Sequence, residues 1–490
     1  MINWDSAFGK NDIRGIYGKD VTEELFFFTS KAYIKYIMEQ TGKQAKDIWV
    51  TVCMDARTHS PQLKDIIIKG VTSAGANIID LGLAATPIGY YSEHADLKEI
   101  TGENEVMGAM IVTASHNPSQ YNGLKMTFDK KSMTEAQFQE VKKLAIEQSK
   151  ESLLSHTFGK SVQHDIIPEY INELCTQFKS IGKGIKVVVD SANGTGGIVG
   201  PELYRRLGCS VIELYSNPDG RFPHHHPNPS DESTLDDIKK AVIENKADLG
   251  IAFDGDSDRI GVIDSKGNHL TGDKLLLIYA LDVIERYRLT KTTPVIVSEV
   301  KCSQVLFDTI NKSGGKAIMC KTGHGYIKAK MAETNAHLAG EMSGHIFFKD
   351  RYYGYDDAFY AGCRVIEIIA KMRENNKNFD LTDMLKPFNA VYISDEVRLH
   401  CENELKKPVL EMFKKLVEDN KNMFGNKIQD IITLDGMRIV FDGGFALVRQ
   451  SNTEPVFTLR FEATNQKDCE HYSEVMIQNL NDCISNCNKN

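Results

Sequence analysis

Two short stretches of this 490-residue chain combine residue types that could move a phosphoryl group. Thr113-Ala114-Ser115-His116-Asn117-Pro118 closes the apolar run Ala109–Val112 and presents the serine hydroxyl of Ser115 at the end of a short buried strand. Asp254-Gly255-Asp256-Ser257-Asp258-Arg259 closes a second apolar run, Leu249–Phe253, and offers three carboxylates at alternate positions. Carboxylate oxygens suit hard divalent cations, Mg²⁺ above softer metals, and Mg²⁺ accompanies phosphate chemistry. A hydroxyl in one loop and a cation-holding turn in another point to phosphoryl transfer to and from a serine.

Each loop alone admits other readings. Three alternating aspartates are as often a solvated acidic turn. An EF-hand calcium loop starts the same way but requires Gly at its sixth position and an acid at its twelfth, where this chain has Arg259 and Ser265. A phosphatase with Asp254 as nucleophile fits the preceding apolar strand and leaves Thr113–Pro118 unexplained. Ser115 is poorly placed as a hydrolase nucleophile, because His116 is its sequence neighbour and no G-x-S-x-G elbow surrounds it. Lys125 is a candidate base or charge partner, although a lone lysine is more often a solvated surface group.

Other polar loops follow. Gly340-Glu341-Met342-Ser343-Gly344-His345 sets a carboxylate, a hydroxyl and an imidazole between glycines, a set suited to sugar hydroxyls. Arg449-Gln450-Ser451-Asn452-Thr453-Glu454-Pro455 follows a strand-like run; arginine grips phosphate bidentately, and short donors fill the remaining acceptors. A structural Asn/Thr turn is an equal alternative there. Phe222-Pro223-His224-His225-His226-Pro227 invites a zinc reading, but adjacent histidines on extended chain diverge, so no shared metal is expected.

These loops need rigid elements behind them. Three strand–helix–strand units are legible: Ile48–Val52 to Asn77–Gly82, with a helix starting near Ser60-Pro61; Ile185–Asp190 to Cys209–Leu214; and Pro294–Ser298 to Lys316–Met319. Each spacing accommodates one crossover helix, which predicts α/β domains with parallel pairs. The C-terminal part differs: Gly436–Phe441, a turn at Asp442-Gly443-Gly444, Phe445–Arg449 and Val456–Phe461 predict antiparallel strands, flanked by helices over Glu402–Glu418 and Lys467–Cys483. Polar stretches at Ser149–His164 and Arg373–Asn378 read as linkers. The expected domains are 1–153, 160–267, 268–376 and 381–490, the third opening with a helix over Asp273–Arg286.

Composition excludes several classes. The chain is 41% hydrophobic and 26% charged with net charge −9, ordinary for a folded protein and unlike the basic footprint of a nucleic-acid platform. No apolar run reaches the roughly 18 residues that span a bilayer, and Met1-Ile2-Asn3-Trp4-Asp5 has neither the basic n-region nor the apolar h-region expected of a signal peptide. The 10 cysteines are scattered without a C-x-x-C pair, which predicts free thiols and a reducing cytoplasm.

Taken in order, the loops resemble the α-D-phosphohexomutase family, with most likeness to its bacterial phosphomannomutase/phosphoglucomutase branch, over nearly the whole chain. Phe8 to Gly15 is similar to the family's opening motif, Thr113–Pro118 to its phosphoserine loop, Asp254–Arg259 to its metal loop, 340–345 to its sugar loop and 449–453 to its phosphate loop. Lys321-Thr322-Gly323-His324-Gly325-Tyr326 resembles a further substrate-contacting turn, and Asn217–Pro229 a P-D-G-x-F-P stretch. The resemblance implies three similar mixed-sheet α/β domains and a smaller α+β C-terminal domain around a central cleft. It implies a phosphotransferase interconverting hexose 1- and 6-phosphates of mannose or glucose, with hexose 1,6-bisphosphate as intermediate and activator. Phosphoglucosamine mutase, or a non-catalytic sugar-phosphate-binding relative, is the alternative. The catalytic set implied is Ser115, His116, Lys125 as base, Arg14 and Arg259, with Mg²⁺ on Ser115, Asp254, Asp256 and Asp258. Glu341, Ser343, His345, Lys321 and His324 would meet the sugar, and Arg449, Ser451, Asn452 and Thr453 the phosphate. A monomer or homodimer is expected, with hexose phosphates as partners and neither nucleic acid nor membrane. Two departures stand out: Ser257 replaces a glycine common in the metal loop, where its side chain is expected to point away from the ion, and His224 and Asn228 replace Asn and Asp. Met342, against the glutamine of the glucosamine branch, favours glucose and mannose phosphates.

Overall fold

The structure is a computed structural model that describes residues 2–10, 12–150, 158–451 and 454–488. The chain folds into two compact units: one holds 1–271, 343–348 and 352–380, the other 272–342, 349–351 and 381–490.

In the first unit, the leading sheet runs in the order Ile13–Ile16, Tyr121–Phe128, Val106–Val112, Trp49–Met54, Asn77–Leu83, Ser161–Gln163. The last four are parallel and the first two antiparallel. The central strands are buried almost throughout because helices cover the sheet, as in α/β folds generally. Val50, Val52, Ile78, Met110 and Val112 share a core with Phe26, Tyr33 and Ile37 of the helix Glu23–Thr41 and with Phe138 of Glu135–Gln148. The first of these helices opens on a Thr22 side chain that accepts the Leu25 N–H, carries Glu23 and Glu24 in its first turn, and stops at Gly42 in the left-handed region. The second opens on a capping box of Thr134 and Gln137.

A second sheet of this unit runs His269–Leu270, Ile260–Ile263, Leu249–Phe253, Lys186–Asp190, Ser210–Leu214, with the last three strands parallel. The phosphoserine-like loop and the acidic turn thus each follow the carboxyl end of a buried central strand, where α/β sheets present their ligands.

The second unit carries the parallel strands Lys316–Cys320, Val295–Glu299 and Leu338–Gly340. Its C-terminal part is an antiparallel sheet ordered Tyr392–Ile393, Val456–Ala463, Gly444–Gln450, Met437–Phe441, Asp430–Ile432, with Val397–His400 also pairing to Val456–Ala463. The helices Asn403–Asp419 and Gln466–Cys487 bury Val409, Phe413, Tyr472 and Met476 against Ile439, Phe441 and Phe461. Phe441 pairs with Gly444 across Asp442-Gly443, and Gly443 takes the positive φ (78°) that a two-residue hairpin demands. The α/β class, followed by an α+β segment, is the one the sequence predicts.

Two linkers differ from expectation. Ser161–Gln163 pairs with Ile78–Asp80, so a segment starting at 160 cedes its first strand to the leading sheet; residues 151–157 of that stretch lie outside the described residues. Arg373, Glu374 and Asn375 continue the helix Ala358–Asn375, where Arg373 pairs with Asp248 at 2.7 Å. All ten cysteines are free thiols, and among the described residues no helix is long and apolar enough to cross a membrane.

Candidate active site

Ser115 is held in the left-handed region (φ 50°), strained for a residue with a Cβ. The loop around it is overdetermined. The Ser115 N–H donates to Thr113 Oγ1 at 2.8 Å, and Thr113 Oγ1 donates to Asp55 Oδ2 at 2.8 Å. Arg57 Nη2 donates to the carbonyls of Ser115 (2.8 Å) and Asn117 (2.6 Å), and Nη1 to those of Pro118 (2.6 Å) and Tyr121 (3.0 Å). Asp55 takes Arg57 Nε at 3.0 Å and the Ser60 hydroxyl at 2.7 Å. Both charges are almost wholly buried. This ion pair clamps four loop carbonyls, and sequence reasoning missed it. The available signal was Asp55-Ala56-Arg57 directly after a strand-like run, two charges where a buried strand delivers its loop.

Across the loop, Ser115 Oγ donates to Asp254 Oδ2 at 2.7 Å. His116 Nδ1 lies 3.2 Å from Ser115 Oγ, and Arg14 donates to Asn117 Oδ1 at 2.7 Å and to Asp12 Oδ2 at 2.6 Å. Burial, with Arg259 and Arg14 nearby, holds the His116 imidazole well below its ordinary pKa, hence neutral.

Asp254, Asp256 and Asp258 are buried, and one ligand oxygen from each lies within 4.8 Å of the others. The turn is pinned by Thr86, whose N–H donates to the Asp256 carbonyl (2.9 Å) and whose hydroxyl donates to Asp256 Oδ2 (2.7 Å). Ser257 also has positive φ (61°), which explains the fit of glycine there, and its hydroxyl meets Thr195 Oγ1 at 3.3 Å. Lys125 Nζ bridges Asp256 Oδ2 (3.0 Å) and Asp258 Oδ2. Burial and the two neighbouring carboxylates push Asp254 well above the usual carboxylate range. Against a burial penalty of its own, Asp258 is held well below that range, first of all by Lys125. Asp256 Oδ1 is buried with no hydrogen bond. The three buried carboxylates crowd one another beside Lys125 and Arg259, and the orphaned oxygen faces no donor. That donor set fits a hard divalent cation.

Burial acts to lower the Lys125 pKa, but Asp256 and Asp258 outweigh it and raise it well above its ordinary value. Lys125 in this charge setting is an ammonium and a charge partner; the base role implied by resemblance requires it to lose that proton. Arg259 Nε lies 3.8 Å from Asp254 Oδ2 and 3.3 Å from His345 Nε2. Arginine can only donate, so His345 Nε2 accepts and its Nδ1–H faces Ser343 Oγ at 2.9 Å. His345 also packs on the acidic turn, with Nε2 3.4 Å from Asp258 Oδ1. The three neighbouring histidines part company: His224 meets Asn193 (2.7 Å), His225 meets Asp190 (3.1 Å), and the His226 carbonyl faces the His225 ring at 3.0 Å.

The second unit holds the remaining sugar and phosphate candidates. Glu341 Oε1 accepts the Gly323 N–H at 2.6 Å, which ties the loop at 340–342 to the Lys321–His324 turn. Lys321 is exposed, with Nζ 5.7 Å from the Tyr326 ring centre, and His324 opens the helix His324–Thr334. Glu299, which the sequence did not single out, is fully buried and accepts the Met342 N–H at 2.9 Å and the Thr322 hydroxyl. Arg449 Nε donates to Asp435 Oδ2 at 2.7 Å. Lys406 Nζ grips the carbonyls of Ser451 (2.9 Å) and Glu454. Asn452 and Thr453 lie outside the described residues.

Four family models match the chain in order: phosphoglucomutase/phosphomannomutase alpha/beta/alpha domain I over residues 5–152, domain II over 168–267, domain III over 271–388, and the C-terminal domain over 396–478. The chain belongs to the phosphoglucomutase/phosphomannomutase family. It is 36% identical over 476 residues to a phosphomannomutase/phosphoglucomutase of Pseudomonas putida, with 97% of this chain and 96% of that protein covered. It is 34% identical over 483 residues to a phosphoglucomutase of Neisseria meningitidis, covering 99% and 97%. The crystal structure of a phosphoglucomutase/phosphomannomutase family protein from Burkholderia thailandensis superposes with a TM-score of 0.86 at 34% identity, covering 99% of this chain and 98% of that one.

Proposed function

We propose that this protein is a phosphohexomutase that interconverts hexose 1-phosphate and hexose 6-phosphate, of mannose, glucose or both, through phosphoserine 115 and a hexose 1,6-bisphosphate. One observation carries the reading: the Ser115 hydroxyl lies against Asp254 of a buried carboxylate trio. The names of the Pseudomonas and Neisseria relatives support the hexose phosphates as substrates.

In the first half-reaction the free hydroxyl of a bound hexose phosphate attacks the phosphorus on Ser115. The sugar O–P bond forms as the Ser115 Oγ–P bond breaks, and the hydroxyl proton leaves to a base. In the second, the reoriented bisphosphate returns its other phosphoryl group to Ser115. Phosphate is conserved and no water is consumed. Mg²⁺, held by Asp254, Asp256, Asp258 and the Ser115 phosphate, would supply the charge neutralisation that phosphoryl oxygens need. Arg14 and Arg259 add fixed positive charge, and neutral His116 can donate to a phosphate oxygen without carrying charge. For Lys125 to take the hydroxyl proton it must first give up its own, so its role depends on the charge of Asp256 and Asp258. Glu341, Ser343, His345, Lys321 and His324 are assigned to the sugar hydroxyls, and Arg449, Ser451, Asn452 and Thr453 to the phosphate that is not reacting.

The test is a coupled assay on glucose 1-phosphate and mannose 1-phosphate with free phosphate measured in parallel. A mutase forms the 6-phosphate without releasing phosphate. Steady release of phosphate, retained in Ser115→Ala, would instead favour a phosphatase acting through Asp254.

A further inference from the structure

We propose that Asp435 is a positioning residue that aims Arg449 and fixes its distance from the sugar-binding turn. The inference rests on the reading of Arg449 as the phosphate grip. Asp435 lies in the bend between the strands Asp430–Ile432 and Met437–Phe441, and Arg449 lies on the neighbouring strand Gly444–Gln450. Met437 pairs with Val448, so the bend reaches the backbone on either side of Arg449. Gly436 makes that approach possible. It has φ 81°, and a Cβ there would lie 2.2 Å from the Val448 carbonyl oxygen and 2.8 Å from Arg449 Cα.

A single oxygen, Asp435 Oδ2, receives two donors. One is Arg449 Nε at 2.7 Å; the other is the Thr322 N–H at 3.0 Å. Holding a guanidinium by Nε stops its rotation and leaves the terminal pair of nitrogens to form a two-pronged grip on phosphate. Thr322 belongs to the turn that resembles a substrate contact, and it is a hub. Its N–H goes to Asp435 and its hydroxyl to Glu299, while the next residue, Gly323, donates to Glu341 at 2.6 Å. Glu299 in turn accepts from Met342 of the sugar loop at 2.9 Å. A continuous set of hydrogen bonds therefore runs Met342–Glu299–Thr322–Asp435–Arg449. It sets how far the phosphate grip stands from the sugar loop, a length that a hexose phosphate must match.

Charge alone predicts the opposite of this role. A carboxylate beside a phosphate-gripping arginine repels phosphate, so its removal would tighten binding if its field were what mattered. If orientation matters more, removal weakens binding. Asparagine keeps an acceptor oxygen in place without the charge, and so separates the two effects.

The experiment is a double-mutant cycle on the full chain, with glucose 1-phosphate as substrate and thermal unfolding as the folding control. Arg449→Ala should raise KM by about tenfold or more, the worth of a charged hydrogen bond. Asp435→Ala should raise KM by a similar factor with a smaller loss in kcat, Asp435→Asn should recover most of it, and Asp435→Ala should add little in the Arg449→Ala background. Should the alanine variant melt too early to assay, Asp435→Glu, which displaces the acceptor by one methylene, should show the same rise. The proposal is overturned if Asp435→Ala or Asp435→Glu leaves KM unchanged or lowers it, or if the Asp435 and Arg449 effects multiply. Unchanged KM in Arg449→Ala would instead overturn the reading of that arginine, and the proposal with it.

Discussion

The Ser115 hydroxyl donates to Asp254 Oδ2 at 2.7 Å, although the two residues are 139 positions apart. On the proposed reading, in which Ser115 carries the phosphate and Asp254 holds the cation, this hydrogen bond defines where the transferred phosphoryl group must sit. Replacing Ser115 with alanine removes the carrier and leaves the backbone clamp of Thr113 and Arg57 in place. Turnover of glucose 1-phosphate should fall by more than about a thousandfold while the melting temperature changes little.

The acidic trio should respond to cations in two opposite ways. With a chelator present, Asp254→Asn removes a carboxyl whose ionisation burial and Asp258 oppose, so this variant should melt no earlier than the parent. With excess Mg²⁺ the parent should gain stability, about 2.7 kcal/mol at about a hundredfold over the dissociation constant, and the variant should gain much less. Scanning calorimetry in chelator and in Mg²⁺ reads both. Equal Mg²⁺ shifts in parent and variant would remove Asp254 from the site.

The Asp55–Arg57 pair carries the shape of the Ser115 loop. Arg57→Met leaves Asp55 buried beside unclamped carbonyls and should cost about 3–5 kcal/mol in urea unfolding. Asp55→Ala and Arg57→Met should be far from additive, because both break one network. A loss under about 0.5 kcal/mol for Arg57→Met would show that the clamp is dispensable.

Glu93 gives the leading sheet a pH dependence with a defined sign. It is buried, accepts from the Thr127 hydroxyl (2.6 Å) and the Lys130 N–H (3.0 Å), and burial pushes its carboxyl up from 4.5 to about 7. The native state therefore holds a proton that the unfolded chain has lost between those values, so this contribution to stability declines as pH rises from 4.5 to about 7 and is flat above. Glu93→Gln should flatten that part of the profile and gain about 3 kcal/mol at pH 8 relative to the parent. Parallel stability profiles for parent and variant between pH 5 and 8 would contradict the assignment.

Much of the proposed reaction centre was legible because its residues stand at the ends of apolar strands, where period and turn chemistry are local signals. Ser115, Asp254, Asp256 and Asp258 fall in that class, and so do the crossover units behind them. What sequence could not supply is long-range. Asp55 and Arg57 look like ordinary surface charges until the loop at 115–121 folds onto them. Glu299 and Asp435 likewise gain meaning only through Thr322, which lies 23 residues from one and 113 from the other. The strand Ser161–Gln163 was hidden in a polar stretch because an edge strand needs no apolar face; its burial pattern is exposed, intermediate, exposed. Ser257 departs from glycine yet keeps the left-handed turn, since its hydroxyl finds Thr195 and the backbone tolerates the strain.

The most direct test of the central claim follows the phosphate itself. Protein loaded on Ser115 by glucose 1,6-bisphosphate, with the modified residue located by peptide mass spectrometry, would be mixed with glucose 1-phosphate and Mg²⁺ and quenched within one turnover. Phosphate should leave Ser115 at the rate at which hexose bisphosphate appears, with no free phosphate, and a chelator should stop both. Product forming while the label on Ser115 stays put would contradict the central claim.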